Sequence, residues 1–228
     1  MARLPRLYAP DTPQLVQAIL LPAEQALTVQ VLDTWAAWLE TETARLRIAV
    51  HGWALTPHEL LLLATPAGQH GLRSLLQSLG RRISTQRKGG AVFAGRYRSA
   101  LVEPGAWVLP ALVWLETLPV RAGLASDAEY WRWSSARAHA GAGVCGWLTE
   151  HEDYWACGNT PFDRQAFYRG LLHEGLGSSA QGRLDAALHG QWALGDSAFL
   201  ERIGQSASRR LAPRPRGRPP KPATPDPA

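Results

Sequence analysis

H-G-W-A-L-T-P-H-E-L-L-L-L, residues 51–63, reads as two strands broken by a turn. Arg47 to Leu55 alternates towards a strand, and Glu59 to Ala64 is an apolar run too short for a stable helix. Thr56-Pro57 punctuates them, because proline fixes φ and offers no backbone N–H. Working outward, Ala23 to Thr43 places Val29, Leu32, Trp35, Ala36 and Leu39 on one helical face, with Asp33 and Glu40 on the other. Gly71 to Arg87 predicts a second helix with Leu72, Leu75, Leu76 and Leu79 as its apolar stripe, ended by Gly89-Gly90. Val92 to Glu103 should hold a strand around Gly95-Arg96-Tyr97-Arg98. Ala106 to Leu118 should form a third helix, with Pro110 near its start and Pro119 closing it. A helix, a hairpin, a helix, a strand and a helix in that order make an α+β domain with a mainly antiparallel sheet.

The chain has 228 residues, of which 46% are apolar, enough for one packed domain and an appended segment. Its formal net charge is +5, but Arg209, Arg210, Arg214, Arg216, Arg218 and Lys221 supply six positive charges with no acid between them. Subtracting those six leaves the rest of the chain at −1, a near-neutral body with a basic arm suited to phosphate. No apolar run approaches the ~20 residues that span a bilayer, which points to a soluble, cytoplasmic protein associated with the nucleoid. Cys145 and Cys157 flank His151 at a spacing that fits no standard zinc site, so both read as idle or buried thiols.

From Val144 to Gln205 the pattern shifts to short helical pieces, residues 162–172 and 195–204, the second with Asp196 or Ser197 as N-cap. Residues 142–207 are therefore assigned to a small helical extension and 208–228 to a basic disordered tail. Within that tail P-R-G-R-P-P-K (215–221) is similar to an AT-hook. Gly217 would let the backbone approach the floor of a narrow A·T-rich minor groove, Arg216 and Arg218 would run along it, and Pro219 would help keep the chain extended.

Further words run in a specific order: L-L-Q-S-L-G-R-R (75–82), G-R-Y-R-S-A-L-V-E (95–103), W-L-E-T-L-P-V-R-A-G-L (114–124) and W-R-W-S-S-A-R-A-H-A-G (131–141). With the opening M-A-R-L-P-R-L, they make residues 1–141 resemble the REP-associated tyrosine transposases, relatives of the single-tyrosine insertion-sequence transposases. The resemblance implies a ferredoxin-like antiparallel sheet with helices on one face and hairpin or single-stranded DNA as partner. Trp131 and Trp133 should lock the end of the domain, because large aromatic side chains bury much apolar area.

It also implies a metal held by two histidines one residue apart on a strand, and a tyrosine nucleophile five residues before the proline of the P-V-R-A-G word. In this chain the metal positions are His58 and Leu60, so one ligand survives and the other has no lone pair. The nucleophile position is Trp114, whose indole offers no oxygen to attack phosphorus. No cofactor is expected, or a weakly held magnesium or manganese ion if the chain still cuts DNA. His51 and Glu116 could replace the missing ligand, and Tyr97 or Tyr130 the missing nucleophile; otherwise His51 is a satisfied surface histidine and Tyr130 a core or capping neighbour.

Arg81, Arg82, Arg96, Arg98 and Arg121 fall in the family-like words and suit phosphate oxygens through their planar forks. Tyr97 and Trp114 could stack on unpaired bases. Three readings stand: a DNA-binding protein that has lost nicking, a nicking enzyme with a relocated tyrosine, and a non-catalytic partner of an active relative, with a homodimer left open.

Overall fold

The structure is a computed structural model that describes residues 5–22, 28–205, 207 and 209–213. Its sheet contains β1 (Gln14–Ile19), β2 (Ile48–Leu55), β3 (Glu59–Pro66), β4 (Arg98–Val102) and the two-residue β5 (Ala193–Leu194), in the order β2-β3-β1-β4-β5. The first four are antiparallel to their neighbours, and β5 runs parallel to β4. Helix α1 (Val29–Arg45) joins β1 to β2, and α2 (Gly71–Gln86) joins β3 to β4, which gives the ferredoxin-like arrangement. Thr28 caps α1 by accepting a hydrogen bond from the Val31 N–H.

Register assigns the two faces. Leu55, Leu60 and Ala18 lie opposite one another across three strands and pack towards α1 and α2, together with Val16, Leu62 and Ala64. The alternate set, Leu15, Ala54, Leu61, Leu63 and Ala100, faces α3 (Val108–Glu116), α7 (Pro161–Glu174) and α8 (Ser178–Gly190). Thus α1 and α2 share one face as expected, and α3 with the helical extension covers the other. Leu61, Leu62 and Leu63 are each 0% exposed, so β3 is buried on both sides and its sequence shows no alternation.

The contact of α3 with the sheet depends on Gly52, beside the β-bulge at His51. A Cβ at Gly52 would come within 2.3 Å of Leu112 Cδ2. The third predicted helix is two pieces, α3 and α4 (Leu118–Arg121). Pro119 opens α4 instead of closing the helix before it, because its missing N–H costs nothing in a first turn. The strand expected within Val92 to Glu103 begins only at Arg98, with Phe93 making an isolated bridge to Leu20. Tyr130, expected as a core or capping neighbour, ends a short 3-10 turn and is 70% exposed, so it is not a core residue.

The extension is knitted into the same body: Tyr154, Tyr168, Leu184 and Leu188 are buried against α3, and β5 extends the sheet. Between these lie the short helices α5 (Ala136–His139) and α6 (Glu152–Trp155), with α9 (Ser197–Gly204) last. Asp196 caps α9 through the Phe199 N–H at 2.7 Å. Trp131 and Trp133 do lock the domain end, donating to the Leu55 carbonyl and to Asp33, each at 2.9 Å. Among the described residues no helix is long and apolar enough to cross a membrane.

Candidate nucleic-acid interface

On α2, Arg73, Gln77, Arg81 and Ser84 recur every three or four residues and form one face. That face lines a groove of about 840 Å³ whose other wall is the irregular segment from Val92 to Tyr97 and the side chain of Arg6. Four arginines, Arg6, Arg73, Arg81 and Arg96, border it, and among the described lining residues no carboxylate offsets them. Gly80 lets Phe93 lie against the helix, since a Cβ there would meet the Phe93 ring at 3.2 Å.

Arg6 is held in place by Tyr97. Its Nη2 donates to the Tyr97 carbonyl at 3.0 Å, and its guanidinium carbon sits 3.5 Å from the centre of the Tyr97 ring. Burial lowers the Arg6 pKa, Tyr97 opposes that shift, and the positive fields of Arg96 and Arg73 add to it. Burial likewise raises the Tyr97 pKa, against the pull of Arg6, Arg96 and Arg73. A half-buried phenol with a raised pKa under a stacked guanidinium is poorly placed as a relocated nucleophile.

The remaining predicted arginines go elsewhere. Arg82 turns from the groove to pair at 3.0 Å with Glu42, a carboxylate only 2% exposed that Arg45 also contacts at 2.6 Å. Arg98 reaches Gln17 at 3.4 Å on the opposite face of the sheet, where Gln17 donates to Glu59 at 2.7 Å. Arg121 donates at 2.6 Å to the Trp114 carbonyl and lies 5.2 Å from the Trp114 ring. Of the arginines and tyrosine expected from the sequence, Arg81, Arg96 and Tyr97 line the groove, and Arg73 and Arg6, not among those expected, line it with them. The signal for Arg73 was its four- and eight-residue spacing from Gln77 and Arg81.

Trp114 is only 6% exposed, sealed among Leu61, Leu63 and the extension helices. The expectation that it stacks on unpaired bases therefore fails in this conformation, because no ring face is free. Two residues further along α3, Glu116 is fully buried, and its Oε1 accepts from the Ser135 hydroxyl and from His139 Nδ1–H at 2.7 Å. Its Oε2 accepts from the Tyr168 hydroxyl at 2.7 Å, and Tyr154 donates to the His139 carbonyl at 2.9 Å. Burial and then the Glu116 charge raise the Tyr168 pKa well above its ordinary value. This carboxylate is committed to tying α3 to the extension, so it does not serve as a replacement metal ligand here.

His51 is also committed, and it is buried where a surface position was expected. Its Nδ1–H donates to the Thr149 carbonyl at 2.8 Å, and Nε2 accepts from the Thr65 hydroxyl at 2.9 Å. Burial chiefly lowers its pKa, to about 4. His58 is exposed in the turn before β3, and Leu60 lies in the core under α1 and α2. Among the described residues one trio of ligand-type side chains comes together, His151, Glu152 and Asp153, and His58 is not in it. Cys145 and Cys157 are half-buried and unpaired with each other. Arg216, Gly217, Arg218 and Pro219 lie outside the described residues.

No family model matches the sequence, and no curated protein does. Among solved structures, the fold is similar to that of a REP-associated tyrosine transposase bound to a REP hairpin. The TM-score is 0.55 at 12% identity, over 67% of this chain and 93% of the other. The class defined here is thus the fold of that transposase, shared at a distance.

Proposed function

We propose that this chain is a transposase-like DNA-binding protein that holds hairpin or single-stranded DNA along the Arg6, Arg73, Arg81 and Arg96 groove without cutting it. The groove carries the reading: four guanidinium groups converge on about 840 Å³ with no acidic neighbour among the described lining residues. A phosphate backbone supplies what that surface lacks. The transposase with the similar fold holds a hairpin, which supports the partner class. Trp114, at the position the resemblance gives to the nucleophile, offers no oxygen, which supports binding without nicking, and the binding itself draws on guanidinium groups.

Titration of a palindromic hairpin with the double variant Arg81→Ala, Arg96→Ala tests this. Both side chains are exposed, so the fold should survive. Removing two phosphate contacts should flatten the log–log salt dependence of binding by roughly 1.4 to 1.8 and weaken binding at least tenfold at low salt. An unchanged slope and affinity would remove the groove from the interface.

A further inference from the structure

Arg73, Gln77 and Arg81 stand on α2 at four-residue intervals, so successive side chains leave the helix about 6 Å apart along one edge of the groove. All three are exposed, and among the described residues none of them makes a side-chain hydrogen bond or an ion pair. Gln77 differs in this from Gln17 and Gln86. Gln17 donates to Glu59 at 2.7 Å, and Gln86 accepts from the Trp35 indole N–H at 2.6 Å, so both of those amides are occupied within the fold. A free carboxamide thus stands midway between two free guanidinium groups on the wall of the groove.

The groove limits what can enter it. Its volume of about 840 Å³ is that of a small-molecule pocket, room for a few nucleotides of one strand and too little for a duplex. The facing wall, Val92 to Tyr97, also keeps this side of α2 out of a major groove, which one helix fills. A stacked strand advances about 3.4 Å per nucleotide; drawn out to about twice that, its phosphates recur at about 7 Å, close to the 6 Å step of the helix face. Arg73 and Arg81, about 12 Å apart along the axis, then meet phosphates two nucleotides apart. Gln77 faces the base between them, and Phe93, half-buried in the opposite wall, offers that base an aromatic surface.

We infer that the groove takes one extended single strand, about three nucleotides of it, and that Gln77 selects adenine at the middle one. This rests on the groove reading above and adds the base that the groove prefers. A carboxamide carries a donor and an acceptor side by side, the match for the N7 acceptor and N6 amino donor of adenine. The arginines on either side contact phosphate, which fixes the register of the strand and carries no sequence information. Gln77 is therefore the specificity-determining residue of the groove.

The test titrates the full chain with short single strands of thymidine whose central position is dA, dC, dT or 7-deaza-dA, the last lacking the N7 acceptor. The parent should bind the dA probe about tenfold more tightly than the other three, within the roughly 5- to 150-fold that one bidentate base contact supplies. Gln77→Ala, which keeps the helix because alanine is its best former, should bring all four probes level and leave the affinity for the dT probe within about twofold. A parent that binds all four alike, or a preference for dA that survives Gln77→Ala, would overturn the inference. Equal binding of a blunt duplex containing the dA sequence would overturn it too. The groove reading is judged separately on the same probes with Arg81→Ala, Arg96→Ala. If that pair weakens all four while Gln77→Ala changes no preference, the groove reading stands and this inference falls; if it weakens none, both fall.

Discussion

Installing the two residues that the resemblance implies, Leu60→His and Trp114→Tyr, should not produce DNA cleavage. Leu60 is 5% exposed and packs with Leu20, Trp35, Leu39, Leu55 and Leu79 between the sheet and the pair α1 and α2. Trp114 packs against Leu61 and Leu63, which point the other way from β3. An imidazole at position 60 would therefore enter an apolar core on the far side of the sheet from the new tyrosine. The lost leucine burial costs about 2 kcal/mol, and an imidazole desolvated without a partner adds about 1–3 kcal/mol. A total near 4 kcal/mol lowers the Tm of a chain this size by about 10 °C. Thermal unfolding of the Leu60→His single variant reads the cost, and denaturing gels of end-labelled hairpin with manganese read the chemistry. A Leu60→His protein as stable as the parent, or a double variant that cleaves, would refute the assignment of these residues to opposite faces.

Glu116→Leu leaves the buried His139, Ser135 and Tyr168 donors without their acceptor, and should cost about 3–5 kcal/mol in chemical denaturation; a loss below 1 kcal/mol would show that the network contributes little. Gly52→Val forces a side chain onto Leu112, with an expected cost of about 1–3 kcal/mol, read by the same method. His51 titrates near 4 when folded, below its ordinary 6.5, because burial disfavours the charged ring. The unfolded chain therefore binds that proton first as pH falls. Stability from this group is complete above pH 6.5 and is lost progressively down to about pH 4, by about 3 kcal/mol. His51→Gln should flatten that part of the stability profile, and an unchanged profile would exclude His51 as its source.

The elements with one dry face were legible: the Leu72, Leu75, Leu76 and Leu79 stripe of α2 and the turn at Thr56-Pro57 both emerge as read. β1 was not, although it is the middle strand of the sheet. It carries Gln14 and Gln17 among its apolar residues, and the polar contact that makes Gln17 useful, Glu59, is 42 residues away. α8 escaped because its interior holds Gly182 and its apolar set reduces to Leu184, Ala187 and Leu188. At the interface, arginine identity could be read but direction could not. Arg81 and Arg82 are adjacent, yet helical geometry sends one to the groove and the other to buried Glu42. The motif could show that Trp114 cannot attack phosphorus. That the extension also seals it from DNA depends on packing between residues more than 50 positions apart, such as Trp114 and Tyr168.

The most direct measurement incubates the unmodified chain with end-labelled hairpin and manganese, then runs native and denaturing gels side by side. The account predicts a retarded native band with the strand intact and free of protein on the denaturing gel. A shortened strand, or protein joined covalently to DNA, would contradict it.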